Sequence, residues 1–199
     1  MPAPQLRSPR LILRHWTHED QRPFALMNSD PEVMRYFPSR LSADQSDLYA
    51  EMMQLGLEER NFGFWAIELR SEDQTGGPLI GCAGLSVPQW NSPFMPCIDI
   101  GWRLSRDYWG MGYASEAAHR ILDYSFNELD IDEVLSFASV LNVRSIAVME
   151  LLGMTRNPDD DFCHPMFDSD SDLSRHVLYR MPKQLWTSLQ SDQVMPAED

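Results

Sequence analysis

The order of hydrophobic periods along the chain predicts a mixed α/β (α+β) domain built around one sheet. Three observations carry that expectation. Short β-rich runs fill residues 11–16, 62–70, 79–87 and 97–104. A helical period replaces them from Gly112. Strand-like and helical segments then alternate toward the C-terminus. With 199 residues, 43% of them hydrophobic and six of them Trp, the chain can bury a core without disulfide or metal. No internal repeat and no linker divides it, so a single domain is expected.

Each element has a local reason. Residues 11–16 read as a first strand after the extended Ser8-Pro9. Thr17 can cap a helix running to about Asn28, with Glu19 and Asp20 favourably placed in its first turn. Asp30-Pro31-Glu32 is another start signal, a capping residue followed by Pro at the first helical position. Ser42-Ala43-Asp44-Gln45 fits a capping box and opens a helix to about Arg60. Residues 62–70 and 79–87 form a β-hairpin through Thr75-Gly76-Gly77-Pro78, and 97–104 continues an antiparallel meander. Ala114, Ala117, Ala118, Ile121, Leu122 and Phe126 recur at helical spacing. A short strand over 134–140 precedes a helix over 143–152 that ends at Gly153. Residues 157–172 hold six Asp and no Lys or Arg and read as a solvated loop. Residues 175–181 form a last strand, and 190–199 a frayed tail.

Composition narrows the function. Sixteen Lys and Arg against 30 Asp and Glu give 16 − 30 = −14, the wrong sign for coating nucleic acid or an anionic membrane. Plain solubility or attraction of a cationic substrate both fit that charge. Cys82, Cys97 and Cys163 form no CxxC, and the five His form no HExxH, so neither a zinc site nor a disulfide framework is expected. Residues 1–9 lack an apolar signal region, and no apolar run approaches the ~18 residues of a membrane helix. A reducing cytoplasm is the expected address.

The most informative segment runs from Ile98 to Ala117, where a strand enters a glycine-bearing turn that opens an alanine-rich helix. Unpaired N–H groups and the helix dipole make such a start an anion site, and glycine lets a phosphate approach the backbone. Glycine used merely for loop shape is the competing reading. No GxxxxGK[S/T] exists in the chain. The dinucleotide pattern is partial, because Gly110-Met111-Gly112-Tyr113-Ala114-Ser115 lacks its third Gly or Ala and follows antiparallel strands rather than opening a parallel βαβ unit.

This segment resembles motif A of the GNAT N-acetyltransferases, particularly the Rim-type ribosomal-protein acetyltransferase branch, which reads E-I-G-Y/W-x-L-x-x-x-Y-W-G-x-G-Y-A-S/T-E-A. Asp99 stands at the usual Glu. In the broader pattern Gln/Arg-x-x-Gly-x-Gly/Ala, Trp109 takes the Gln/Arg position, which removes one polar contact to a pyrophosphate. Asn142-Val143-Arg144-Ser145 followed by Leu152-Gly153-Met154 is similar to the family's N-x-x-S…L-G-F/M signature. His164-Pro165 and 175–180 are similar to its closing strands, and Arg10-Leu11-Ile12-Leu13-Arg14 and Leu79-Ile80-Gly81 also fit. The resemblance spans about 8–187, leaving 188–199 as a tail.

The resemblance implies a GNAT fold, a mostly antiparallel sheet with a parallel splay between its fourth and fifth strands, and acetyl-CoA as cosubstrate. It implies that Trp109, Gly110, Met111, Gly112, Tyr113, Ala114 and Ser115 hold the pyrophosphate, while Trp102, Arg103 and Leu104 flank the pantetheine or simply pack. Asp99 is the implied base, acting directly or through water, with a structural carboxylate as the alternative. Ser145 could protonate the leaving thiolate or serve only at its helix start; Asn142 orients pantetheine, caps that helix, or does both. The acceptor would be a primary amine, on a protein N-terminus or a small molecule and possibly cationic, and members of this branch often form homodimers. A non-catalytic CoA-binding module on the same fold is the alternative. His164, His176 and Tyr179 could line an acceptor pocket or pack structurally, as could Trp65, Trp90, Tyr36 and Phe37. Asp159, Asp160 and Asp161 could draw a cationic amine.

Overall fold

The computed structural model describes residues 2–71 and 76–194. The chain divides into two compact units: one runs to Ser86 and resumes at Ile100–Ile121, the other comprises Val87–Asp99 and the chain from Leu122 onward. Because the units interleave along the chain, no linker announces them. The architecture is mixed α+β, a mixed sheet flanked by helices.

Strands β1 (Leu6–Arg7), β2 (Leu11–Arg14), β3 (Phe64–Leu69), β4 (Leu79–Ser86) and β5 (Asp99–Leu104) are neighbours in that order, and all but Asp99 of β5 belong to the first unit. β1 to β4 pair antiparallel, with Leu11 opposite Leu69 and Phe64 opposite Gly84. The β3–β4 hairpin is present; Glu72 to Thr75 of its connection lie outside the described residues. The backbone of β4 passes so close to β5 that a side chain at Gly81 would meet the Arg103 carbonyl at 2.2 Å.

Helices α1 (Gln21–Ser29) and α2 (Ala43–Arg60) belong to this unit. The Ser42–Gln45 capping box forms in both directions, at 2.9 and 3.2 Å, and Asn61 ends α2 in the left-handed region at φ 63°. Phe24, Met53 and Leu57 are buried. The helix expected from Asp30-Pro31 is instead a turn. Asp30 Oδ1 accepts the Glu32 N–H at 2.7 Å, but Pro38 disfavours helical geometry at Phe37.

In the second unit, β6 (Glu133–Ser139) pairs antiparallel with β9 (Arg175–Pro182), and β7 (Thr155–Arg156) and β8 (Phe162–Cys163) also pair with β9. Asp99 of β5 pairs parallel with Leu135 of β6, and the Leu135 N–H donates to the Ile98 carbonyl at 2.9 Å. This is the parallel pairing that the family resemblance implies. Helix α3 (Tyr113–Asn127) begins in the first unit and ends in the second. Helix α4 (Val143–Leu151) closes at Gly153, φ +77°.

Two expectations about the C-terminal third need correction. Residues 157–172 are not all loop: Pro158–Asp160 is a 3-10 turn, and β8 follows it. Helix α5 (Lys183–Val194) runs past the start of the frayed tail expected at 190; 195–199 lie outside the described residues. Its sequence is weakly amphipathic, so tertiary packing sustains it, with buried Trp186 against Phe126 at 5.8 Å. Among the described residues no helix is long and apolar enough to cross a membrane, and no group of three His, Cys, Asp or Glu could hold a metal ion.

Candidate active site

The glycine turn has the geometry of an anion cradle. Gly110 and Gly112 take φ +73° and +78°, a region costly for other residues, and nothing lies within 4 Å of where a Gly110 Cβ would be. α3 starts directly after, and its first main-chain bond of the helical type runs from the Glu116 N–H to the Gly112 carbonyl at 3.0 Å. The N–H groups of Tyr113, Ala114 and Ser115 therefore precede the helical ladder. Ser115 Oγ donates to the Gly112 carbonyl at 2.9 Å, bracing the turn. Met111 is half exposed at its tip. Trp109 points elsewhere, donating Nε1–H to the Leu104 carbonyl at 2.9 Å. The turn thus fits a pyrophosphate, with Trp109 fixing the loop rather than offering a polar contact.

Arg10 joins this turn, a contact that no local pattern foretells. Its Nε donates to Glu116 Oε2 at 2.6 Å, its Nη1 to the Met111 carbonyl at 2.9 Å, and its guanidinium lies 4.5 Å from the Tyr113 ring centre. Glu116 Oε1 accepts from Ser8 Oγ at 2.7 Å and from the Arg10 N–H at 2.8 Å. Burial alone would push this carboxyl up, but those hydrogen bonds take it below the ordinary Glu range. Arg10 and Glu116 are 106 positions apart, and no spacing rule in one sequence joins them.

Along β5, Leu104 is buried while Trp102 and Arg103 are partly exposed. The Arg103 side chain leaves the strand toward the helices of the first unit. Its Nη1 donates to Asn28 Oδ1 at 2.6 Å and the guanidinium stacks 4.1 Å from Phe37. Asn28 is itself fixed by donating to Ser46 Oγ at 2.7 Å. The guanidinium is thereby held by Asn28 and Phe37.

In the second unit, Asp99 is buried, 9% exposed, at the parallel pairing with Leu135. Asn142 caps α4, accepting the Ser145 N–H at 3.3 Å. The Ser145 hydroxyl has no hydrogen-bond partner among the described residues and is free to serve a ligand. Neither Cys82 nor Cys97 suits an acyl-enzyme. Burial pushes both thiols up to about 11, despite Arg103 pulling Cys82 the other way, so thiolate is scarce at neutral pH.

His164 and His176 belong to a packed aromatic cluster of the second unit rather than to an open pocket. Their rings are 4.8 Å apart, with Trp90 4.8 Å from His164 and Phe167 5.6 Å from His176. His164 Nδ1 accepts the Met166 N–H at 3.2 Å, while His176 Nδ1 lies 3.0 Å from the Ser174 carbonyl and so carries the proton. Burial, with His176 second, lowers His164 to about 4; burial also lowers His176. The unfolded imidazole takes its proton near 6.5 but the folded one only near 4, so stability falls as pH drops across that window. His164→Asn keeps an acceptor for Met166 and removes the titration. Urea unfolding at steps between pH 7 and 4 should show a shallower acid loss in this variant; parallel curves would remove His164 as the cause. Trp65 is wholly buried, donating to the Pro4 carbonyl at 2.9 Å, and Tyr179 donates to Glu150 at 3.0 Å.

Of the three acids at 159–161, Asp160 bonds Arg180 at 3.0 Å and Asp161 is paired with Arg156. Two of the three acids that could draw a cationic amine are therefore paired with arginines of the second unit.

Comparison with known proteins agrees with this geometry. The Acetyltransferase (GNAT) domain family matches residues 10–155. YkkB of Bacillus subtilis is 32% identical over 151 residues, covering 75% of this chain and 84% of YkkB. The FsC-acetyl coenzyme A-N(2)-transacetylase of Aspergillus fumigatus is 30% identical over 159 residues, 76% of this chain and 65% of that protein. The fold of a GNAT-family acetyltransferase from Bacillus anthracis superposes with a TM-score of 0.73 at 21% identity, over 91% of this chain and 99% of its own. A mixed sheet with this strand-to-helix glycine turn, in a chain that the acetyltransferase family model matches over residues 10–155, is that of an acyltransferase. The chain belongs to the GNAT acetyltransferase family.

Proposed function

We propose that this acetyltransferase moves acetyl from acetyl-CoA to a primary amine, on a protein N-terminus or a small molecule, by direct attack in a ternary complex. The observation that carries the reading is the open glycine turn at the start of α3, whose positive-φ backbone and unladdered N–H groups suit a pyrophosphate. The printed name of the Aspergillus relative, an acetyl coenzyme A transacetylase, supports the same donor. The Rim-type wording of Ile98 to Ala117 supports the branch.

The bound thioester supplies an acyl carbon that a neutral amine can attack, with the C–S bond breaking as the C–N bond forms. The protein's work is then in protons and positions. Asp99 takes the proton that the amine must lose, directly or through one water, and the free Ser145 hydroxyl can give one to the departing thiolate. Backbone N–H groups of β5 near Ile100 to Trp102 can stabilise the oxyanion. Trp109, Gly110, Met111, Gly112, Tyr113, Ala114 and Ser115 hold or shape the phosphate cradle, and Trp102, the Arg103 backbone, Leu104 and Asn142 steady the pantetheine arm. The scarcity of Cys82 and Cys97 thiolate favours direct attack.

Acetyl-CoA at about 100 times its Kd should add about 2.7 kcal/mol, raising the Tm by roughly 5–10 °C. Release of free CoA should follow when a panel of peptide N-termini, polyamines and amino sugars is added. The absence of any shift at millimolar acetyl-CoA rejects the reading.

A further inference from the structure

We infer that Arg10, on the short loop between β1 and β2, is a direct phosphate ligand of the glycine turn and supplies the contact that Trp109 cannot make. The inference rests on the proposed seating of acetyl-CoA on that turn.

Three observations lead to it. First, the guanidinium is fixed on two of its three nitrogens: Nε by Glu116 at 2.6 Å and Nη1 by the Met111 carbonyl at 2.9 Å. Both partners belong to the turn or to the first turn of α3, so the cation is built into the cradle rather than resting beside it. Second, Nη2 has no hydrogen-bond partner among the described residues and lies 3.4 Å from where a Gly112 Cβ would project. A side chain at 112 would crowd that nitrogen, and glycine leaves its approach open. Third, the polar position of the broader family pattern is filled by Trp109, whose indole N–H is spent on the Leu104 carbonyl.

The neighbouring carboxylate does not cancel the cation's use. Glu116 is already engaged by Ser8 Oγ, by the Arg10 N–H and by Arg10 Nε, and only 14% of its side chain is exposed. It orients the guanidinium and leaves the Nη2 edge for an incoming oxygen. Lysine could not reproduce this, because a single ammonium cannot serve the carboxylate, the carbonyl and a phosphate in one fixed plane. In a chain of net charge −14, one held cation at the turn also gives a polyanionic ligand a local attraction that the whole molecule lacks.

The test compares acetyl-CoA with S-acetylpantetheine, which carries the same thioester and no phosphate, by calorimetric Kd for wild type, Arg10→Gln, Arg10→Ala and Arg10→Lys. Wild type should bind acetyl-CoA far more tightly than S-acetylpantetheine. Arg10→Gln and Arg10→Ala should weaken acetyl-CoA by about 10- to 100-fold and leave S-acetylpantetheine unchanged. Arg10→Lys should recover only part of the loss. Equal weakening of both ligands overturns the inference, since that marks a scaffold residue; so does unchanged acetyl-CoA affinity in Arg10→Gln. If wild type binds neither ligand, or binds both alike, the seating on the turn fails first and the inference falls with it.

Discussion

Asp99→Asn should slow acetyl transfer by about 10²–10⁴-fold while leaving the Kd for acetyl-CoA unchanged. Asparagine has the same shape and keeps an oxygen acceptor at this buried position, but it cannot take up a proton. The loss should therefore depend on pH and on the acceptor. An α-amine, with a pKa near 8, loses its proton unaided as pH rises, so the variant should approach wild type between pH 8 and 9. A lysine ammonium, near 10.4, should keep the deficit throughout that range. One pair of pH profiles thus tests the base and sorts the acceptor. Asp99→Glu restores the residue more usual in the resembling motif; if a water relays the proton in wild type, the longer side chain should displace it and stay within about tenfold. Turnover in Asp99→Asn that matches wild type at every pH would end the base assignment.

Local chemistry explains why much of the fold was legible. The Ser42–Gln45 box, the Gly153 stop and the glycine turn are written in contiguous residues, and all three form as read. What was not legible depends on partners distant in sequence. Nothing in 183–194 advertises a helix strongly, and Trp186 sustains it by burial. The Asp30 start signal is sound as far as it goes, yet one satisfied cap cannot carry a helix into Pro38. The site divides in the same way. The sequence lets Asn142 cap, orient pantetheine or do both, and the capping bond is present; it lets Ser145 take a chemical role or a helix-start role, and its amide fills the second while its hydroxyl has no partner among the described residues. The sequence lets Arg103 flank a pantetheine or simply pack; Asn28 and Phe37 take its side chain, and only the folded neighbours of a strand residue can decide that. Arg10 and Glu116 each fell within a recognised stretch, and their pairing is purely tertiary.

Arg14→Met should destabilise the fold by about 3–5 kcal/mol at pH 7, an effect set by what it leaves behind rather than by what it removes. The guanidinium grips Asp20 through two nitrogens, at 2.7 and 2.8 Å, and reaches Glu68 through Nε at 2.5 Å. Those carboxylates are only 2% and 7% exposed, so without Arg14 two buried charges lose their shared counterion. Methionine replaces most of the stem's volume, which keeps the packing loss small beside the electrostatic one. Burial pushes the Asp20 carboxyl up, but the Arg14 hydrogen bond, with help from Thr17, holds it below the ordinary Asp value. A depressed carboxyl contributes stability at neutral pH that is lost as pH falls through its folded pKa. In the variant burial dominates at Asp20, its carboxyl takes up a proton at higher pH, and the difference from wild type should shrink between pH 7 and 4. Urea unfolding at both pH values measures it, with a Tm drop on the order of 10 °C expected at pH 7. Adding Asp20→Asn and Glu68→Gln to Arg14→Met should recover part of the loss, because neutral amides cost less to bury than unpaired charges. A deficit that stays constant with pH, or that the amides deepen, would assign Arg14 a packing role instead.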